Sequence, residues 1–258
     1  MDKILSGFLL FAIVGCTNAT TTPPVSRWSL AQLGAGDLHA TGVAINRTTG
    51  NLWFLARGVG LVEATPAGQH VSTLPFDASF VDHGFTDVTV LDDGSFALTA
   101  NGEGYRYDRL HGETSFFCLV PGGDQTTMDN EAITLDPSTG TMYVAPAYFI
   151  GPNLVSARIS GYAASDGHLM SDLDVMPTGV LAQGMAVDSS EGAQRMWIVQ
   201  HDTMYRFTMD GTVDGSTALA GVSEAAGVAL VAGQLYVLDG TNQDIRAFDR
   251  DAVVAGLR

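Results

Sequence analysis

Lysine is all but missing from this chain, with Lys3 the only one. Lys and Arg together number 12 against 28 Asp and Glu, a formal net charge of −16. A surface so poor in cations repels polyphosphate, which excludes DNA and RNA as partners. The acidic surplus itself serves solubility. Cysteine is nearly as scarce, at two residues, so no disulfide framework holds the chain together. Cys118 lies in an apolar strand context and reads as a small buried hydrophobe. Long apolar runs are limited to residues 4–15, too short to span a bilayer. Segments with 3.6-residue periodicity are essentially absent, which argues against α/β enzyme folds. Also missing are the G-x-S-x-G elbow, H-E-x-x-H, the P-loop and paired C-x-x-C.

What the chain has in abundance is repetition. Five units open on an apolar strand at Val43, Val88, Ile133, Met185 and Val228, at steps of 45, 45, 52 and 43 residues. Each first strand ends in a turn closing on glycine, at Gly50, Gly94, Gly140, Gly192 and Gly233, and a second apolar strand follows. A third strand alternates apolar and polar residues at period two, as in Met204-Tyr-Arg-Phe207. In the first four units a turn and a fourth strand complete the pattern, for example His70 to Leu74. A period of about 40–50 residues with four short strands predicts a β-propeller. The fold class is therefore all-β, a five-bladed β-propeller. Six blades are the alternative, should the longer third step hide extra structure around Pro146 to Val155. A sandwich with evenly spaced strands explains the aligned glycines less well. The last unit lacks a clear fourth strand, and residues 27–33 look like an orphan one. Pairing the two closes the ring and removes the exposed edges.

The N-terminus reads as an export signal. Residues 1–15 combine Lys3 with a short apolar run, the pattern of a secretory leader. The run ends in Ile13-Val14-Gly15-Cys16, which resembles a bacterial lipobox with Cys16 as the lipid acceptor. Residues 16–26 are Thr/Pro-rich and read as a tether. The propeller domain then occupies residues 27–258. This organisation predicts a monomeric outer-membrane lipoprotein of the cell envelope, periplasmic or surface-exposed, touching the membrane only through its palmitate-bearing anchor.

In a propeller the innermost strand of each blade lines the central channel. The loops leading into it and those joining the second and third strands open on one face. That face gathers Asp37, His39, Asp82, His83, Asp129, Glu131, Gln183 and Glu224 from the first set. Arg57, Asn101, Glu103, Tyr148, Phe149, His201, Asp202, Asp239 and Asp244 come from the second. A pocket here is the default binding site for a protein or small ligand. Within it Met128-Asp129-Asn130-Glu131 puts carboxylates just before a channel strand, where a divalent cation such as calcium would collect oxygens. Glu131 is the principal candidate ligand, assisted by Asp129 and by Asp87, which lies one residue past the axial position. The same segment also suits an ordinary turn. Asp239-Gly-Thr-Asn-Gln-Asp244 offers spaced oxygens but lacks the length and terminal Glu of an EF-hand loop, so a structural turn is the simpler reading. His39, His83 and His201 would meet at the channel mouth as ligand or acid–base groups, or serve as ordinary hydrogen-bonded surface histidines.

The lipobox leader, the five short repeats and the phrase Asn130-Glu-Ala-Ile-Thr-Leu-Asp136 together resemble the SdiA-regulated (YjiK-like) family, relatives of NHL-repeat propellers. The resemblance spans about residues 27–250. It implies an exported five-bladed propeller with a calcium site and no established enzymatic activity. Glu131 matches the family's acidic strand-opening position; Thr41, Thr86, Gln183 and Ala226 stand at the other four and remove carboxylate oxygens from such a site. Three functions compete. One is a non-enzymatic envelope binding module. The second is a metal-dependent hydrolase or lactonase resembling the gluconolactonase-type propellers, with Glu131 and axial residues holding the metal. The third resembles the streptogramin-lyase propellers, with His201 and Glu131 around the channel. Fold analogy alone does not decide among them.

Overall fold

The structure is a computed structural model. It describes residues 21–34, 38–77, 80, 83–100, 103–108, 112–118, 127–150, 153–175, 178–190 and 192–258, and the main chain alone at 113–118, 127–131, 150 and 155. Two short strands come first, β1 (Thr21–Thr22) and β2 (Ser26–Ser29), and then a 3-10 turn at Leu30–Leu33. Blade I comprises β3 (Ala40–Ile45), β4 (Leu52–Ala56), β5 (Gly60–Ala64) and β6 (His70–Pro75). Blade II comprises β7 (Asp87–Val90), β8 (Phe96–Ala100), β9 (Glu103–Asp108) and β10 (Gly112–Cys118). Blade III follows with β11 (Thr127–Asp136), β12 (Thr141–Ile150), β13 (Asn153–Ala163) and β14 (Leu169–Asp174). Blade IV is β15 (Gly184–Asp188), β16 (Arg195–Gln200), β17 (Thr203–Thr208) and β18 (Val213–Leu219). Blade V is β19 (Ala225–Val231), β20 (Gln234–Asp239) and β21 (Asp244–Asp249), ending in helix α1 (Arg250–Gly256).

Each blade is one antiparallel sheet in sequence order, and the inner strands β3, β7, β11, β15 and β19 touch one another in a closed ring. The five turn glycines of the repeat all adopt left-handed backbone, with φ between 68° at Gly140 and 80° at Gly94. Only glycine enters that region without cost, which is why it recurs at this one point of the unit. In four blades an Asx turn reinforces the hairpin: Asn46, Asp93, Asp136 and Asp188 accept the N–H two residues on, from Thr48, Ser95, Ser138 and Ser190.

The core lies between blades rather than within one layer. Five apolar clusters fill the five gaps, such as Trp53, Leu55, Phe96 and Leu98 between blades I and II. Trp53 and Phe96 meet edge-to-face at 4.9 Å. Small residues let the inner strands converge on the axis: a Cβ on Gly42 would collide with Asp87, and one on Gly184 with the main chain of Gly227.

The ring closes as the sequence predicts. Strand β2 pairs antiparallel with β21, Trp28 opposite Ile245, and supplies the missing fourth strand of blade V. There are five blades, not six. The extra residues of the third step lengthen β12 and β13 to 10 and 11 residues, so Pro146 and the strand around Tyr148 extend blade III instead of starting another. The C-terminal segment is a helix: the Asp249 side chain caps α1 by accepting the Ala252 N–H, and Val253 is fully buried. The stretch expected as a tether over 16–26 is already docked at Thr21. Strand β1 pairs in parallel with β18, and Thr22 is buried with its hydroxyl against that of Thr217.

Candidate ligand-binding mouth of the channel

At the start of every inner strand one residue bulges toward the axis. The register shifts between Ala40 and Gly42, between Asn130 and Ala132, and between Ala225 and Gly227. In blades II and IV, Thr86 and Gln183 donate their N–H to Thr99 and Val199, residues already paired with Asp87 and Gly184. The displaced residues are thus Thr41, Thr86, Glu131, Gln183 and Ala226, the five strand-opening positions. Bulges re-aim side chains in this way at the rims of closed sheets.

The bulges surround a pocket of about 260 Å³ lined by Thr41, Thr86, Gln183, Glu224 and Ala226, with His39, Arg57 and Gly240 on its rim. The pocket is blind. Below it the inner strands leave only about 20 Å³ among Val43, Val88, Ile133, Met185 and Val228, room for a single water. Arg47 crosses the far end and donates from Nη2 to the Leu135 carbonyl at 2.5 Å.

One side of the mouth is a fixed polar cluster. Glu224 Oε1 accepts from Gln183 Nε2 at 2.5 Å, and the carboxylate lies 2.9 Å from His201 Nδ1. His201 is held at φ 54°, unusual for a non-glycine residue. Its N–H donates to Gln183 Oε1 and its carbonyl accepts from Ala225, so the turn of blade IV is sewn to blade V. Partial burial pushes the Glu224 carboxyl up, but hydrogen bonds from Gln183 and His201 and the imidazole charge hold it below the usual carboxylate range. The hydroxyls on the other side donate to carbonyls, Thr41 to Phe85 and Thr86 to Thr99, each at 3.2 Å.

The remaining sequence-predicted residues divide by what they touch. Asp87 is buried: its Oδ1 accepts from Val88 N–H and its Oδ2 from Ile133 N–H, so the carboxylate braces two blades. His83 packs among Phe80, Phe85 and Tyr105, stacked on Phe85 at 5.6 Å, away from the pocket lining. Asp202 is exposed and accepts from the Thr203 hydroxyl. Asp239 and Asp244 are buried parts of a structural turn. Asp239 accepts N–H groups from Ser223, Thr241 and Asn242, and Asp244 accepts from Arg27 and Arg246. Asp129 and Glu131 lie on β11 where only the main chain is described, and Cys16, Asp37, Asp82 and Asn101 fall outside the described residues. Among the described residues no three His, Cys, Asp or Glu side chains converge as one metal ion would require. Sequence reasoning named His201, Gln183 and Glu224 separately but not their mutual contacts, which join residues 18 to 41 positions apart.

The chain matches no protein-family model and no curated protein. Among solved structures it is similar to a gluconolactonase from Xanthomonas campestris, with 16% identity, a TM-score of 0.53, and coverage of 91% of this chain and 85% of the other. It is also similar to a structure of a nidogen/laminin complex, with 13% identity, a TM-score of 0.52, and coverage of 84% and 77%. A likeness at such identities is one of architecture, and it agrees with the strand order above: the chain is a five-bladed β-propeller.

Proposed function

We propose that this protein is a non-enzymatic envelope lipoprotein of the SdiA-regulated type, whose channel mouth binds a small polar ligand. One observation carries the binding reading: the blind mouth pocket, lined by the displaced residue of successive blades. Its volume lies just below the usual range of ligand sites, and its described walls come from blades I, II, IV and V. The chemistry of the lining favours binding over turnover. The Thr41 and Thr86 hydroxyls donate to carbonyl oxygens rather than to a base, so neither is an activated nucleophile. Glu224 is held ionised by its two partners.

The calcium that the family resemblance implies fits this lining poorly. Thr41, Thr86 and Gln183 offer only neutral oxygens, that of Gln183 already accepting the His201 N–H, and calcium affinity rises with the number of charged ligands. Such a site would rest on Glu131 and Asp129, and the binding reading does not require it. The alternative is a metal-dependent hydrolase, suggested by the architecture shared with a gluconolactonase. It needs the same carboxylate set, and Glu224 is already taken up by Gln183 and His201.

The test is a thermal-shift screen of small polar metabolites on the wild type and on two variants that fill the mouth, Ala226→Phe and Thr41→Leu. Compounds that raise the wild-type Tm are expected to lose their effect on both variants. Compounds that stabilise all three proteins equally would place binding elsewhere.

A further inference from the structure

Arg57 stands apart from the other cations of this acidic chain. Among the described residues it is the one arginine with neither a salt bridge nor a side-chain hydrogen bond. Arg27, Arg106, Arg158, Arg195, Arg206, Arg246 and Arg250 all pair with aspartates, Arg47 donates to a carbonyl, and Arg258 has partners of its own. With 28 acidic residues in the sequence, an unengaged guanidinium is not for want of carboxylates. It lies on the rim of the mouth pocket. Its main-chain N–H donates to the His39 carbonyl at 2.9 Å, which sets the Arg57 and His39 side chains beside each other on blade I, both exposed. The His39 ring has no hydrogen-bond partner among the described residues either, and the two side chains edge a cavity whose one described carboxylate, Glu224, is bound by Gln183 and His201.

The rest of the lining adds a second requirement. Thr41, which lines the cavity, donates its proton to the Phe85 carbonyl and so keeps acceptor capacity on its oxygen, whereas the Thr86 hydroxyl is shared with the carbonyl and the hydroxyl of Thr99. A ligand suited to this lining has an anionic end for a guanidinium fork and a hydroxyl donor for Thr41. We propose that the mouth binds a small hydroxycarboxylate, its carboxylate paired with Arg57 and a hydroxyl toward Thr41. This rests on the mouth being the binding site. Guanidinium and carboxylate match in two parallel N–H···O bonds, which an ammonium cannot reproduce.

The experiment is calorimetric titration with three probes: gluconate, the neutral polyol glucitol, and inorganic phosphate. It is run on the wild type, Arg57→Gln, Arg57→Lys and Ala226→Phe, with Arg57 exposed enough for its variants to fold. Gluconate is expected to bind the wild type at least about tenfold more tightly than glucitol, and to lose that advantage in Arg57→Gln. Arg57→Lys should recover part of it, and Ala226→Phe should bind neither. Equal affinity for gluconate and glucitol, or gluconate binding untouched by Arg57→Gln, overturns the assignment. If glucitol binds and Ala226→Phe blocks it in that case, the mouth survives as a site and only its anion preference falls. Phosphate binding more tightly than gluconate overturns the carboxylate class, and so does binding of none of the three.

Discussion

The Oδ2 atom of Asp87 in blade II accepts the main-chain N–H of Ile133 in blade III at 2.9 Å, while Oδ1 accepts from Val88. The side chain is 1% exposed, and Gly42 of blade I leaves the space it occupies. One carboxylate therefore joins blades II and III at the axis and packs against blade I.

Asp87→Asn should show this directly. An amide can accept one of the two N–H groups but turns its own donor on the other, leaving a buried donor unpaired. A loss of about 1–3 kcal/mol is expected, read by urea denaturation. Unchanged stability would mean the carboxylate is no brace.

Trp28 carries the closure of the ring. It is 7% exposed, meets Phe54 of blade I edge-to-face at 5.7 Å, and donates from Nε1 to the Pro66 carbonyl. Trp28→Ala is expected to cost about 3–5 kcal/mol. Deleting residues 27–33 should go further and expose the β21 edge to aggregation. A deletion variant with unaltered solubility and Tm would argue against the closure as a source of stability.

Acid should loosen the face opposite the mouth. Burial pushes the Asp136 carboxyl up, but hydrogen bonds from Thr139, Ser138 and Gln194 outweigh it and hold the pKa below the ordinary value. Asp188 is held low in the same way by Ser190, Trp197 and Arg250. A carboxyl whose pKa falls on folding stabilises the fold above its unfolded value, about 3.9 for Asp. That contribution is lost as pH drops through the lowered folded value. Stability is thus expected to hold down to about pH 5 and to fall steeply below about 4. Asp136→Asn should flatten the acid limb in urea titrations at successive pH values. An acid limb identical to wild type would remove Asp136 from the account.

Cys16 is expected to carry the lipid anchor. Metabolic labelling with palmitate should mark the wild type and miss Cys16→Ser. Equal labelling of both would remove the anchor.

The blades were legible because one local constraint recurs. Gly50, Gly94, Gly140, Gly192 and Gly233 occupy the same left-handed turn position, and a repeated backbone demand leaves a repeated letter. Topology also placed His39, Gln183 and Glu224 at the mouth, while Thr41, Thr86 and Ala226 were picked out through the family resemblance, as the residues at its strand-opening position. Pairings between blades left no such trace. Glu224 finds Gln183 and His201 only after two sheets are set side by side, and Asp87 looks like any polar residue until Ile133 arrives above it. The docking of Thr21 and Thr22 was hidden in threonines that equally suit a linker, and α1 in a stretch too short for a helical period to register.

Strand β1 lies along β18, and the main chain of Arg258 exchanges hydrogen bonds with Ser216 on that same outer strand. Both ends of the described fold thus leave from the rim of the disc at one blade. A lipid on Cys16 would therefore reach the fold at its rim and leave the pocketed face uncovered.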